Sequence, residues 1–260
     1  MNQFHFPFGQ PLKKVEQKDQ TPKKVFVLGV YASAVHARWV DMNGKQKVAA
    51  LAVASEPEIF WRGENVQEII NCIQIPVALG RLLVPANKSM NGPSGRALDD
   101  LFLSPLGYSR KDVWLSDLLP ESRVNEKQKE AITNHYTPEI VKQFNLTPAT
   151  IPDFNKSELD SAKRSREILK ELETSQASTI ILLGDLPIKW FLRFYSNKDH
   201  SKLSDFGETS ETYGSPVDVI INNKKYKIIA LCHPRQAGRL GTSSLKWGQL
   251  HTEWIRKKRV

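Results

Sequence analysis

A histidine and an aspartate at the ends of apolar segments are the residues with the clearest chemical potential. His233 follows the apolar segment 226–231, and Asp117 ends the segment 111–117. A neutral imidazole can donate a hydrogen bond to a developing anion, and a carboxyl group can accept one from an amino group. Ligands of open α/β sheets bind beyond the carboxyl ends of the strands, so we expect such ends to form one site. Two further ends of this kind are Gly29-Val30-Tyr31 and Gly184-Asp185.

The elements that must position these residues alternate between strands and helices. Strands are predicted at 25–29, 49–54, 111–117 and 179–184, with a hairpin at 217–231 around Asn222-Asn223. Helices are predicted at 65–74, 94–102 and 245–258, after Gly184, and from Ser157 to Glu173. This alternation predicts an α/β fold, a three-layer α/β/α sandwich with a central, mainly parallel four-stranded sheet. We expect residues 1–23 to be a flexible or strap-like tail and residues 24–260 to form a single domain.

Composition narrows the class of protein. The 260 residues include 37 Lys and Arg against 28 Asp and Glu, a net charge of +9, which favours an anionic partner, nucleic acid first. Only Cys72 and Cys232 occur, too few for a disulfide framework, a four-cysteine zinc site or an all-cysteine iron–sulfur cluster. The sequence has no membrane-length apolar run and no secretory signal. We therefore expect a cytoplasmic monomer with no metal and no cofactor.

Five motifs in order resemble the uracil-DNA glycosylase superfamily, over about residues 25–256. The resemblance is closest to its bacterial and archaeal iron–sulfur branch, although the cluster cysteines are missing. It implies a DNA-binding enzyme that flips a base out of the duplex, hydrolyses its N-glycosidic bond and leaves an abasic site. The motifs are GVYAS at 29–33, SGRALD at 94–99, LGYSRKDVWLSDLLP at 106–120, STIILLGDLPIKWFL at 178–192 and IIALCHPRQAGRLG at 228–241.

The resemblance assigns roles residue by residue. His233 matches the motif histidine, which donates a hydrogen bond to O2 of the leaving pyrimidine. The start of the helix at Ser94 and Gly95 is expected to contact a DNA phosphate through backbone N–H groups. After the His-Pro motif, Leu240 matches an apolar wedge for the minor groove, with Arg235 and Arg239 on phosphates. The base pocket is expected to contain Gly29, Val30, Tyr31, Met90 and Asn91.

Several positions depart from the family's pattern. The first loop usually carries Asp, Asn or Glu to activate water, where this chain has Val30 and Tyr31. Met90 stands at the place of an aromatic residue that stacks on the base, and residues 56–88 look enlarged. The residue that reads the base is usually Asn, and here it is Asp117.

The change to Asp117 predicts a different base. A carboxylate only accepts hydrogen bonds, so it suits the N4 amino group of cytosine and repels O4 of uracil. A protonated Asp117 or a protonated cytosine N3 would complete the pair. Removing plain cytosine would damage any genome, so we expect a modified cytosine, with room for a bulky substituent at its C5. A sugar-modified cytosine of phage DNA fits, and a defence role against such DNA is one hypothesis.

The residue that activates water is open at the level of sequence. His36 and Asp41 are the nearest candidates after the first loop, and Glu56 and Glu58 follow. Catalysis through the DNA phosphates and His233 alone is another possibility. Three other functions remain: a glycosylase for uracil or another damaged base, a catalytically silent DNA-binding protein, and an enzyme acting on free nucleotides. Trp39 and Trp61 lie in looser segments, where they could touch a ligand.

Overall fold

The chain folds around two β-sheets. The computed structural model describes residues 4–195, 200–237 and 245–258. In these ranges the strands are β1 (Val25–Tyr31), β2 (Ala34–Asp41), β3 (Gln46–Ser55), β4 (Arg81–Pro85), β5 (Val113–Leu119), β6 (Thr179–Leu183), β7 (Val217–Ile221) and β8 (Lys224–Leu231). None of the helices in this described part of the chain has both the length and the apolar composition that crossing a membrane requires.

The helices are short except for two. Two of the short helices, α2 (Pro93–Ala97) and α6 (Asp185–Pro187), continue directly as π-helices, over Leu98–Leu103 and Ile188–Leu192. The helices are α1 (Val66–Asn71), α2 (Pro93–Ala97), α3 (Glu126–His135), α4 (Pro138–Gln143), α5 (Ala162–Ser175), α6 (Asp185–Pro187), α7 (Arg193–Tyr195), α8 (Pro234–Ala237) and α9 (Leu245–Lys258). The predicted helices at 65–74, 94–102 and 245–258, and the one after Gly184, correspond to α1, α2, α9 and α6.

The large sheet confirms the predicted α/β sandwich but adds a strand. Its order in the described residues is β5-β1-β6-β8-β7, and all neighbouring pairs are parallel except β7 with β8. The sheet therefore has five strands, not four, because β7 of the predicted hairpin joins it. Asn222 and Asn223 turn this hairpin with φ of 47° and 63°, the left-handed values of a two-residue type I′ turn. Strand β1 is buried almost throughout, as parallel strands covered on both faces are.

A small second sheet was not predicted. Strands β3 and β4 flank β2 in the order β3-β2-β4, and both pairs are antiparallel, so the apolar run 49–54 lies outside the large sheet. This small sheet has its own core, in which Trp39 is fully buried against Phe8 and Tyr136. The expectation that Trp39 could touch a ligand is therefore wrong.

The N-terminal segment ties the two sheets together. Phe6 is fully buried beside Ala34, Ala52 and Ile151. Further along, the Val15 N–H donates to the Pro120 carbonyl oxygen at 2.8 Å, just after β5. Residues 4–23 thus run as a strap from the small sheet to the large sheet.

Helix α5 begins at Ala162, five residues after the predicted start at Ser157. Residues Lys156–Leu159 form one 3₁₀ turn, and the backbone leaves helical geometry at Asp160. The Ser161 hydroxyl then accepts a hydrogen bond from the Arg164 N–H at 3.2 Å and caps the helix. The helix packs on β5 and β1, where Ile168 and Leu172 are fully buried.

Replacement of the cap should weaken α5 and with it the packing on β5. We expect Ser161→Ala to lower the free energy of unfolding by about 1 kcal/mol, the usual loss for a hydroxyl cap. Ser157→Ala is the matched control, because Ser157 lies in the preceding turn and does not cap α5. Urea unfolding of both variants measures the difference, and an equal loss in both would contradict the assignment of Ser161 as the cap.

Candidate active site

A cavity of about 370 Å³ lies at the carboxyl ends of β1, β5 and β8, between the two sheets. The small sheet and the segment 123–128 form its far wall, through residues such as Ala52 and Gln128. Most of the site residues expected from the sequence line this cavity. They are Val30, Tyr31, His36, Met90, Ser94, Gly95, Asp117, His233 and Arg235.

His233 is held as a neutral hydrogen-bond donor. Its Nδ1 accepts a hydrogen bond from the Arg235 N–H at 3.2 Å, so the ring proton of the neutral form is on Nε2. Burial, with Arg235 nearby, lowers the pKa of His233 to about 4. The backbone N–H of His233 donates to Gln236 Oε1 at 3.0 Å, which fixes the start of α8. The imidazole thus offers a donor without a charge.

Asp117 is a buried acid whose carboxyl group is left without a strong partner. Its side chain and backbone are only 3% exposed, and its Oδ1 has no hydrogen-bond partner among the described residues. Arg164 donates instead to the backbone oxygen of Asp117, at 2.7 Å. Burial raises the pKa of Asp117 well above its usual range, with Glu171 adding to the rise and Arg164 opposing it. In the folded protein this residue therefore holds a proton to higher pH than an exposed aspartate.

Gly29 makes room for that carboxyl group. It lies directly opposite Asp117 in the parallel pair of β1 and β5. A Cβ at position 29 would come within 2.2 Å of Asp117 Oδ1 and 2.7 Å of the Phe60 ring. Only glycine allows the acid and the aromatic ring to approach the strand so closely.

Glu56 is a second buried acid in the same cavity. It follows β3, is 5% exposed, and its Oε1 accepts a hydrogen bond from the Ser33 N–H at 2.9 Å. Burial raises the pKa of Glu56 well above its ordinary value, and the nearby Asp117 adds to the effect. From the sequence, Glu56 was only one of several candidates after the first loop. Its hydrogen bond with Ser33 joins residues far apart along the chain, so nothing in the sequence pointed to it.

His36 reaches the cavity, and its expected companion Asp41 does not. Burial lowers the pKa of His36 to about 4. Asp41 lies at the other end of β2, about 16 Å away at about 3.3 Å per residue. There its Oδ1 accepts hydrogen bonds from the Asn43 and Lys45 N–H groups at the turn after the strand. Asp41 is therefore not part of this site.

Asn91 supports the cavity instead of lining it. It is 2% exposed, and its side chain bonds both backbone groups of His36. Its Oδ1 accepts from the His36 N–H at 2.8 Å, and its Nδ2 donates to the His36 oxygen at 2.9 Å. The prediction that Asn91 lines the base pocket is therefore wrong. Its side-chain amide hydrogen-bonds to the backbone of β2 instead.

Aromatic rings form part of the cavity wall. Phe60 lies beside Asp117, and Tyr31 packs on Phe154 with ring centroids 5.0 Å apart. Met90, expected in the place of the stacking aromatic, is 38% exposed at the cavity's lining. The sequence missed Phe60, although its position in the segment directly after an apolar strand could have suggested it. Trp61, 2% exposed, also lines the cavity.

Close backbone packing holds Phe60 in position. A Cβ at Gly95 would lie 2.1 Å from the Phe60 carbonyl oxygen, so α2 touches this segment directly. The Arg110 guanidinium donates to the same carbonyl at 2.8 Å and to Gly95 oxygen at 3.1 Å. Gly95 therefore has a packing role as well as its place, beside Ser94, in the lining of the cavity.

The expected DNA-contacting segment is only partly described. Arg235 is exposed at the cavity, directly after the His-Pro pair. Arg239 and Leu240 lie outside the described residues. Within the described ranges, no group of three or more His, Cys, Asp or Glu side chains is placed to hold a metal ion.

The comparisons with known proteins leave the family open. No protein-family model matches this chain, and no curated protein matches it at a significant level. The uracil-DNA glycosylase superfamily therefore remains a resemblance carried by the five motifs.

The tautomer of His233 can be measured directly. We expect ¹⁵N NMR to show a neutral Nε2–H ring that stays neutral down to about pH 4, because burial disfavours the imidazolium form. His233→Gln identifies the resonances by their loss. A neutral ring with its proton on Nδ1, or a ring charged at pH 6, would contradict the hydrogen bond from the Arg235 N–H.

Asp117 should make stability depend on pH. Its folded-state pKa is raised above the unfolded value of about 3.9. Its stabilising contribution is thus complete below about pH 3.9 and is lost as pH rises through the folded pKa. We expect Asp117→Asn, which cannot ionise, to gain stability relative to the wild type as the pH is raised. Urea unfolding between pH 4 and 9 measures this difference, and a constant difference would mean that Asp117 is ionised throughout.

Proposed function

We propose that this protein is a monofunctional DNA glycosylase that hydrolyses the N-glycosidic bond of a flipped-out modified cytosine and leaves an abasic site. One observation supports it most strongly. A neutral Nε2–H donor, His233, and a buried acid with a raised pKa, Asp117, line one cavity at the carboxyl edge of the large sheet. Of the five motifs, two supply these residues.

The cavity suits a base removed from the duplex. Phe60 beside Asp117 offers a ring on which a flipped base can stack while the carboxyl group meets its edge. The net charge of +9 and the exposed Arg235 favour the DNA phosphates around the extruded nucleotide.

His233 would lower the barrier to bond cleavage. As the bond between C1′ and the base breaks, its electron pair moves into the base and negative charge develops on O2. A hydrogen bond from Nε2–H to that oxygen stabilises the transition state more than the ground state. Because the ring is neutral, the donor adds no positive charge beside the developing oxocarbenium ion of the sugar.

A protonated Asp117 supplies both halves of the cytosine pair. Its O–H can donate to N3, and its carbonyl oxygen can accept from the N4 amino group. The raised pKa of Asp117 thus favours a protonated Asp117 over a protonated cytosine N3, the two options left open by the sequence. Uracil would require the two carboxyl oxygens to exchange roles.

The cavity also has room beyond a bare pyrimidine. About 370 Å³ lies within the range of pockets that take drug-sized ligands. Its far wall contains polar side chains, including His36, Arg123 and Asn125. A hydroxylated or glycosylated substituent at C5 fits this chemistry, which supports the hypothesis of a role against modified foreign DNA.

The test is base release from matched oligonucleotides. Single- and double-stranded DNA would carry cytosine, uracil, 5-hydroxymethylcytosine or its glucosylated form, followed by alkaline cleavage of abasic sites. We expect scission only at a modified cytosine. We expect His233→Ala to lower the rate about 10²- to 10³-fold, as loss of an oxyanion donor does. His135→Ala, at the end of α3 and away from the cavity, is the control and should keep the wild-type rate.

Other outcomes separate the alternatives. Scission at uracil alone would contradict the cytosine preference and leave a uracil glycosylase. Salt-sensitive DNA binding without release of any base would contradict the enzyme and favour a silent DNA-binding protein.

A further inference from the structure

We infer that Glu56 is the catalytic base that takes a proton from the attacking water, a role left without a candidate in the first loop. The inference rests on the proposed function and adds to it the residue that activates the nucleophile. The observation behind it is a contact between two segments far apart in sequence.

The small sheet brings Glu56 onto the first loop. Ala34 at the start of β2 pairs with Ser55 at the end of β3, so residue 56 comes to lie beside residue 33. Glu56 Oε1 then accepts the hydrogen bond from the Ser33 N–H at 2.9 Å. The carbonyl oxygen of Ser33 is held in turn by the Ser122 hydroxyl. A carboxyl group is thus fixed on the loop whose own residues, Val30 and Tyr31, include none.

Two acids in one cavity divide the acid and base roles between them. Repulsion between Glu56 and Asp117 disfavours ionisation of both at once. The Ser33 N–H favours the ionised form of Glu56, whereas Asp117 Oδ1 has no donor among the described residues. The hydrogen bond from the Ser33 N–H thus favours Glu56 as the carboxylate of the pair, while Arg164 opposes the rise in the pKa of Asp117.

The groups around Glu56 make it a stronger proton acceptor than an exposed glutamate. Asp117 and Glu58 raise its pKa together with burial, while Arg110 and the Ser33 N–H lower it. A base works best when its pKa lies near the working pH. His36 also lines the cavity, but its pKa of about 4 makes it a weaker proton acceptor.

The step balances as a hydrolysis. The water oxygen forms a bond to C1′ while the bond from C1′ to the base breaks, and the bonding electron pair leaves with the base. His233 Nε2–H holds the developing anion at O2, and Glu56 takes one proton of the water. That proton passes to the departing base or to solvent, so the products are the free base and the abasic sugar. The carboxylate also stabilises the positive charge on the sugar.

Glu56→Gln tests this role with a side chain of the same shape. Gln can still accept the hydrogen bond from Ser33, so we expect DNA affinity within threefold of the wild type. Single-turnover base release should fall about 10²- to 10⁴-fold, the contribution of a general base. The wild-type rate should rise with pH as Glu56 ionises, and this rise should be absent from Glu56→Gln. Glu68→Gln is the matched control, because Glu68 is exposed on α1 and does not line the cavity.

The outcomes distinguish this inference from the proposed function. A Glu56→Gln rate within threefold of the wild type, with the rise in pH retained, overturns the role of Glu56 and leaves the glycosylase intact. No base release by the wild-type protein overturns both. If thermal melting shows that Glu56→Gln does not fold, the rate of base release by Glu56→Asp and its dependence on pH test the role of Glu56 instead. A retained pH-dependent rise with a rate at least tenfold lower supports the role, and an unchanged rate overturns it.

Discussion

Burial of two carboxyl groups in one cavity is the constraint on which the site depends. Asp117 comes from the large sheet and Glu56 from the end of a strand in the small sheet. Removing each carboxyl group from water raises its pKa, and their proximity prevents both from being charged. The one hydrogen bond that favours an anion, from the Ser33 N–H, falls on Glu56. This asymmetry gives the cavity one acid that can donate and one that can accept.

The rest of the fold buries the Asp117 and Glu56 carboxyl groups in one cavity. Glycine at position 29 lets the Asp117 carboxyl group and the Phe60 ring lie directly on β1. Gly95 allows α2 to press against the carbonyl group of Phe60, and Arg110 donates a hydrogen bond to that carbonyl. Such packing raises the energetic effect of each polar group, because few waters can screen it.

The small sheet has a role that its size does not suggest. It forms a second core around Trp39, and it also supplies one wall of the cavity through His36, Ala52 and Glu56. Asn91 fixes His36 by bonding its backbone on both sides. The N-terminal strap, anchored by Phe6, joins this sheet to the main body. The shape of the cavity thus depends on both sheets and on the strap.

The amino-acid sequence by itself determined the large sheet, the hairpin and the strand ends that bear His233 and Asp117. These elements follow from local patterns, namely continuous apolar runs and polar residues that end them. Strand β2 was missed because bulges break its pairing with β3 and because exposed Arg38 stands next to buried Trp39. Only the tertiary structure decided that Asp41 lies far from the site, that Asn91 and Gly95 are packing residues and that Phe60 and Glu56 enter it. The physical reason is that long-range strand pairing sets which residues share a cavity. Burial there raises the pKa of both acids, and the hydrogen bond from the Ser33 N–H, not residue type, distinguishes Glu56 from Asp117.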